Sequence, residues 1–131
     1  MRTPYRGITA LLTALLLVGT VFVTTSFADD DGREVHKHGV CSSGALWELE
    51  ADDEGARLDL EFDVNTSTAG RSWRVALRHN GDVFATVIRT TNHHGNFEVE
   101  RSVTDTVGSD TLGARAVSVK TGQVCKASLS I

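Results

Sequence analysis

Alternation of apolar and polar residues recurs along this chain from residue 45 to its end, and this pattern limits the fold more than any other feature. The clearest case is the segment 56–65, ARLDLEFDVN, in which one face carries Leu58, Leu60, Phe62 and Val64. A period of two residues is typical of strands that bury one face and expose the other. No stretch after residue 28 has the 3.6-residue period of an amphipathic helix. The pattern therefore predicts an all-β protein.

The alternating segments are short, and polar turns separate them. Seven such segments are recognisable, at residues 45–51, 56–65, 72–79, 82–90, 97–104, 111–120 and 123–131. Within 97–104, Arg101 occupies a position that the alternation assigns to the interior. Seven short strands without a helix predict a single antiparallel immunoglobulin-like β-sandwich.

One hairpin has a specific turn signal. Asn80-Gly81 separates two alternating segments by two residues, and a type I′ turn requires positive φ at both of these positions. A two-residue loop fixes the strand register, so Leu77 should lie opposite Phe84. In the same register, Trp73 should lie opposite Ile88, and both pairs should face inward.

The first 28 residues have the composition of a secretory signal peptide. Arg2 and Arg6 precede an apolar run at 8–23, and small residues lead to Ala28. The run of 16 residues is shorter than the roughly 20 that a membrane span needs. We predict secretion with cleavage after Ala28 and no membrane association afterwards, and retention of the leader as an anchor is the alternative. Beyond the leader we expect a flexible acidic, histidine-containing segment at 29–39 and a β-sandwich domain at 40–131.

Cys41 and Cys125 are the two cysteines of the chain. In an oxidising compartment an even pair indicates a disulfide bond, and here only one pairing is possible. Counting strand directions places both residues at the same end of the sandwich. Closing so long a loop is worth roughly 4–5 kcal/mol in the chain-entropy treatment of disulfides.

The charge balance excludes several classes of partner. After residue 28 the chain has 11 basic and 17 acidic residues. An acidic surface repels phosphate groups, so nucleic acids and anionic membranes are unsuitable partners. The sequence also contains no Gly-x-Ser-x-Gly nucleophile motif and no glycine-rich phosphate loop before a helix. We therefore predict a protein that is not an enzyme and has no cofactor.

Four histidines form the strongest candidate metal site. His93 and His94 lie in a predicted loop, and strand directions place that loop at the same end as His36 and His38. Imidazole groups bind Zn²⁺ and Cu²⁺, and three or four ligands make a site. The simpler interpretation is a turn and a tail, because TNHHGN is rich in Asn and Gly. We favour the turn.

Three arginines form a candidate interaction face. In the hairpin register above, Arg74, Arg78 and Arg89 share its outer surface. This stripe is either a solvated sheet face or a surface that binds an acidic protein, such as another copy of this chain.

Two segments carry a resemblance to known proteins. The runs WRVALRHNGDVF and ARAVSVKTGQVC, together with the two cysteines, resemble small secreted actinobacterial β-sandwich proteins of unknown function. The last two predicted strands are also similar to those of fibronectin type III-like sandwiches. The resemblance implies fold and secretion, and it implies no activity. We therefore expect a secreted, non-catalytic module that binds an extracellular protein or has a structural role, with Zn²⁺ or Cu²⁺ binding as the alternative.

Overall fold

Strands make up all the regular secondary structure in the computed structural model, which describes residues 32–131. The eight strands are β1 (Glu34–Val40), β2 (Leu46–Asp53), β3 (Arg57–Asn65), β4 (Ser72–His79), β5 (Asp82–Thr90), β6 (Asn96–Thr104), β7 (Thr111–Ser118) and β8 (Val124–Ser130). The predicted all-β fold is therefore confirmed. The predicted signal peptide lies outside the described residues. Within 32–131 there is no helix long and apolar enough to cross a membrane.

The strands form two four-stranded antiparallel sheets. The first sheet has the order β1-β2-β3-β6, and the second has the order β5-β4-β7-β8. The inward residues of both sheets form one core, as the alternation predicts. In this core the ring centroid of Phe97 lies 5.8 Å from that of Trp73 and 6.5 Å from that of Phe62. A two-layer sandwich results.

The two ends of the sandwich are closed by different interactions. At one end, which we call the cysteine pole, a disulfide bond joins Cys41 to Cys125, as predicted. Beside it the backbone N–H of Ser42 donates a hydrogen bond of 2.9 Å to the carbonyl oxygen of Val124. At the other end, the Asp110 pole, the backbone groups of Asp110 and Ile131 bond to each other in both directions.

The N-terminal part of the described chain is more ordered than the sequence predicts. Residues 34–40 form the edge strand β1, which pairs with β2 from Glu34 opposite Asp52 to Val40 opposite Leu46. This corrects the flexible segment expected over 29–39 for residues 34–39, whereas residues 29–31 lie outside the described part of the chain. The pattern did not reveal the strand because its inward positions carry only one large apolar side chain, Val35. Pairing of its backbone with β2 defines the strand instead.

A β-bulge changes the predicted register of the β4–β5 hairpin. The turn is as expected, with positive φ at Asn80 and Gly81. The register then shifts, so that Arg78 lies opposite Val83 whereas Leu77 lies opposite Ala85 rather than Phe84. A bulge inserts one unpaired residue and reverses the faces of the strand beyond it. The segment VFATVI is apolar in both phases, so alternation could not detect this shift.

Beyond the bulge, the residues of β5 lie on the faces opposite to those predicted, as Ile88 and Arg89 show. Trp73 lies opposite Arg89 instead of Ile88. Ile88 is therefore 60% exposed on the outer face. Arg89 is half-buried on the inner side of the edge strand, where its Nε donates a hydrogen bond of 3.2 Å to the backbone oxygen of Glu98.

Three edge strands carry a basic residue at an inward-facing position. These residues are Lys37 in β1, Arg89 in β5 and Arg101 in β6. Each lies opposite a buried residue of the neighbouring strand, respectively Leu49, Trp73 and Leu60. Inward-pointing charges on edges oppose pairing with strands of other molecules. The position of Arg101, anomalous in the sequence, is therefore explained by its place on an edge.

Candidate functional sites

The outer side of the first sheet is a continuous acidic surface. Its outward positions carry nine carboxylates, which together we call the acidic face: Glu34, Glu48, Glu50, Asp52, Asp59, Glu61, Asp63, Glu98 and Glu100. The alternation creates this surface because the strands place most of their apolar residues in the core and their acidic residues outward. Antiparallel pairing then brings the charged positions of four strands together.

The carboxylates of the acidic face lie directly opposite one another across strands. One row contains Glu50, Glu61 and Glu100, and the next contains Glu48, Asp63 and Glu98. Like charges directly opposite in a sheet are destabilising. This arrangement therefore reduces the stability of the fold.

Glu61 shows the electrostatic consequence most clearly. Partial burial, together with the neighbouring carboxylates Asp63 and Glu100, raises the pKa of Glu61 to about 6. Burial is also the main cause of raised pKa values at Glu50, Asp63 and Glu98, and further carboxylates add to it at each position. Ionisation of these groups is thus less favourable in the folded protein than in the unfolded chain.

In the part of the chain that the structure describes, the cationic groups that form salt bridges with the acidic face are His36 on the edge strand β1 and Arg57 at the start of β3. The imidazole of His36 contacts Glu34 and lies 3.3 Å from a carboxylate oxygen of Glu50. The hydrogen bond to Glu34 is the main cause of the raised pKa of His36. On β3, Arg57 forms a salt bridge of 3.0 Å with Asp59.

Glu61, Asp63 and Glu98, on the paired strands β3 and β6, form what we call the centre of the acidic face. This centre differs from the margins of the face, where carboxylates have cationic partners. Hydrogen bonds from Arg57 and Ser102 lower the pKa of Asp59. By contrast, among residues 32–131 no salt bridge involves Glu61, Asp63 or Glu98. The centre is therefore negatively charged without an internal counter-ion.

The four histidines of the predicted metal site do not come together. Within the described residues, only two groups of three possible ligands have donor atoms within 4.8 Å of one another, namely Glu34, His36 and Glu50, and Glu61, Asp63 and Glu98. Neither group contains His38, His93 or His94. The strand order gives the reason, because β1 and β6 are opposite edges of the first sheet. Three interstrand steps of about 4.8 Å separate these edges by roughly 14 Å, although both segments reach the same pole.

His93 and His94 occupy the turn that we favoured from the sequence. Both are exposed, and their rings stack with centroids 3.8 Å apart. The side-chain oxygen of Asn92 accepts hydrogen bonds from the backbone N–H groups of His94 and Asn96, at 2.9 Å and 3.0 Å. Such bonding from Asn is typical of a tight loop.

The outer side of the second sheet has the opposite charge. Its outward positions carry Arg74, Arg78, Arg115 and Lys126, which together we call the basic face. The outward positions of these four strands, all within residues 32–131, contain no carboxylate. Arg89, which we predicted to share a stripe with Arg74 and Arg78, is not part of this face because the bulge turns it inward.

A groove of about 360 Å³ lies on the basic face. Arg78, Arg115 and Lys126 line it, together with Gly113. Arg115 and Lys126 lie directly opposite each other on β7 and β8. Sequence analysis missed both residues, although each occupies a polar position between buried neighbours and could have been assigned to an outer face.

The Asp110 pole contains a histidine–aspartate pair. The carboxylate of Asp110 is buried and accepts hydrogen bonds from His79, from the side chain of Asn80 and from both the hydroxyl and the backbone N–H of Thr106. Burial raises the pKa of Asp110, but these hydrogen bonds outweigh it and hold the pKa well below its usual range. Within residues 32–131 the ring of His79 bonds only to Asp110 and Asn80, and no nucleophile is attached to it. The pair therefore joins the hairpin to the loop before β7.

Comparisons with known proteins give no relative for this chain. No family model, no curated protein and no solved structure matches it. The resemblance to small secreted actinobacterial proteins therefore remains a prediction. Any assignment of function depends on the two charged faces.

Proposed function

We propose that this chain is a secreted, non-catalytic binding module whose acidic face binds a cationic region of another protein. The observation that carries the proposal is the group Glu61, Asp63 and Glu98, which has no salt bridge to any residue in the described part of the chain. A cationic partner would relieve the repulsion among Glu61, Asp63 and Glu98, so binding would recover stability that the free protein lacks. The apolar run before Ala28 and the disulfide bond support secretion.

The edges of the sheets support the assignment of binding to a face. Addition of a partner strand requires an open edge, but Lys37, Arg89 and Arg101 oppose such pairing at three edges. The fourth edge strand, β8, lies against β1 and β2 of the other sheet. The charged side chains of the outer faces, in contrast, are accessible to a partner, and a surface of one charge accelerates encounter with a surface of the opposite charge.

The experiment measures binding of a synthetic lysine- and arginine-rich peptide to the oxidised protein at low ionic strength. The variant E61Q/E98Q removes two charges from the centre of the acidic face. As a matched control, E54Q/D82N removes two charges from exposed positions away from this centre, one in the β2–β3 turn and one at the start of β5. We expect at least tenfold weaker binding by E61Q/E98Q and less than threefold weakening by the control. Equal weakening of both variants would show that only net charge matters and would overturn the proposal.

Binding should also be linked to proton release. Because the pKa of Glu61 is raised to about 6 in the free protein, part of this group is protonated at pH 6. A bound cation favours the ionised form, so the proton should leave on binding. Calorimetry at pH 6 in buffers with different ionisation enthalpies measures this release. Wild-type protein should release protons, and the release should be smaller in E61Q/E98Q.

A further inference from the structure

We infer that the cationic surface bound by the acidic face is the basic face of a second copy of this chain. This inference rests on the proposed function of the acidic face. It also gives a role to the basic face, to which the proposed function assigns none. Copies would associate outer face to outer face, with the first sheet of one molecule against the second sheet of the next.

The separation of charge between the two sheets is the first support. On the strands of the first sheet, carboxylates occupy nine outward positions, whereas the four charged outward positions of the second sheet are all cationic. Both faces carry internal repulsion, since Arg115 lies opposite Lys126 just as Glu61 lies opposite Glu100. Contact between the faces would relieve both repulsions at once.

Equal strand spacing is the second support. Neighbouring strands in any sheet lie about 4.8 Å apart, and residues on one face repeat about every 6.8 Å along a strand. The pair Arg115 and Lys126 therefore has the same cross-strand spacing as the pair Glu61 and Glu100. Cations of one copy can thus lie against carboxylates of the next without rearrangement of either backbone.

The groove on the basic face is the third support. Gly113 lies between Arg78 and Ser128 in its cross-strand row, and it has no side chain to fill the space. The groove is large enough for carboxylate side chains, and three cations surround it. An acidic surface with closely spaced carboxylates is complementary to this groove.

The geometry of the contact determines the kind of assembly. Each molecule would use two different surfaces, so every dimer still has one free acidic face and one free basic face. Contacts of this type lead to rings or open chains of molecules rather than to a closed two-fold dimer. Inward cations at three edges prevent the alternative route, in which sheets extend edge to edge.

The first experiment is sedimentation velocity of the oxidised full domain over a wide range of protein concentration. At low ionic strength the average mass should rise with concentration beyond that of a dimer. In about 0.5 M salt, where screening extends only a few ångströms, the protein should become monomeric. A mass that stays monomeric at all concentrations in low salt would overturn the inference.

Two neutralised variants identify the surfaces. E61Q/E100Q has an altered acidic face with an intact basic face, and R115Q/K126Q has the reverse. Each variant alone should remain largely monomeric where the wild type assembles. An equimolar mixture should form a heterodimer and nothing larger, because only one pair of intact complementary faces is present. Control substitutions in exposed turns, K120Q and E54Q, should leave assembly unchanged.

The outcomes separate this inference from the proposed function. If the wild type binds the cationic peptide but does not self-associate, the acidic face has a different partner and the second-copy inference is wrong. If R115Q/K126Q assembles like the wild type, the basic face is not the contact surface. Circular dichroism melting of each variant verifies that it is folded, and loss of assembly in a folded R115Q/K126Q protein supports the inference.

Discussion

Asp110 at one pole and Glu61 on the acidic face are carboxylates in opposite situations. Asp110 is almost fully buried, yet four hydrogen bonds keep its pKa well below its usual range. Glu61 is less buried, but its neighbours Asp63 and Glu100 are also acidic, and its pKa is raised to about 6. Burial disfavours ionisation at both residues. The presence or absence of donors therefore determines the direction of the shift.

This difference separates the parts of the molecule that stabilise the fold from the part that is available for binding. At one end the disulfide bond between Cys41 and Cys125 joins the first sheet to the second, and at the other end Asp110 joins the β4–β5 hairpin to the loop between β6 and β7. The acidic face contributes repulsion instead. A domain of about 100 residues has only about 5–15 kcal/mol of net stability, so this repulsion requires strong interactions elsewhere.

The largest expected effect concerns the cysteine pole. Replacement of both cysteines, as C41S/C125S, should lower the free energy of unfolding by roughly 4–5 kcal/mol because it releases a long loop. Urea unfolding monitored by tryptophan fluorescence measures the change. Reduction of the wild type should give a similar loss. A loss below about 1 kcal/mol would show that the two sheets stay together without the disulfide bond and would contradict the role assigned to the cysteine pole.

At the Asp110 pole, D110A should cost about 3–5 kcal/mol, because it leaves several buried donors without an acceptor. D110N keeps the shape of the side chain and should cost less. Urea unfolding of the two variants separates the contribution of the charge to the free energy of unfolding from the contribution of side-chain packing. If D110A were as stable as the wild type, the hydrogen bonds to Asp110 would not stabilise the fold, and the contrast with Glu61 would be wrong.

The core of the fold was predictable from the sequence because alternation in 56–65 and 123–131 is unambiguous. Strand β1 was not predictable, since its order depends on backbone pairing with β2 rather than on apolar side chains. The bulge at Phe84 was hidden because β5 is apolar in both phases. Both β1 and the bulge are therefore determined by pairing with a neighbouring strand rather than by the local sequence pattern.

The candidate sites were predictable only in parts. Outward carboxylates such as Glu61 were evident within single strands, but their union with Glu98 requires the pairing of β3 with β6. The prediction that four histidines come together was wrong because it also required the order of the strands in the sheet. Strand directions placed His36 and His93 at one pole, whereas the order of strands in the sheet places them at opposite edges.

The contrast between the two regions also predicts a maximum of stability at mildly acidic pH. The depressed pKa of Asp110 contributes stability above the unfolded value of about 4, and this stability is lost as pH falls below it. The raised pKa values of Glu61 and its neighbours act in the opposite direction. For Glu61 this contribution is complete below the unfolded value of about 4.3 and is lost as pH rises through about 6.

The melting temperature should therefore be highest near pH 5. Between pH 5 and pH 8 we expect a decrease of at least about 4 °C, which corresponds to roughly 1 kcal/mol. Scanning calorimetry at constant ionic strength measures it. Added salt should reduce the decrease because it screens the exposed carboxylates. A melting temperature that rises from pH 5 to pH 8 would contradict the assignment of repulsion to the acidic face.

The smallest expected effect tests the centre of the acidic face directly. E61Q removes one charge from a row of three carboxylates and should stabilise the protein by about 0.5–1 kcal/mol at pH 8. D59N is the matched comparison on the same strand, and it should be destabilising because Asp59 has partners in Arg57 and Ser102. Urea unfolding at pH 5 and pH 8 measures both variants. The gain from E61Q should nearly vanish at pH 5, where Glu61 is already largely protonated, and an equal gain at both pH values would assign the effect to packing instead of charge.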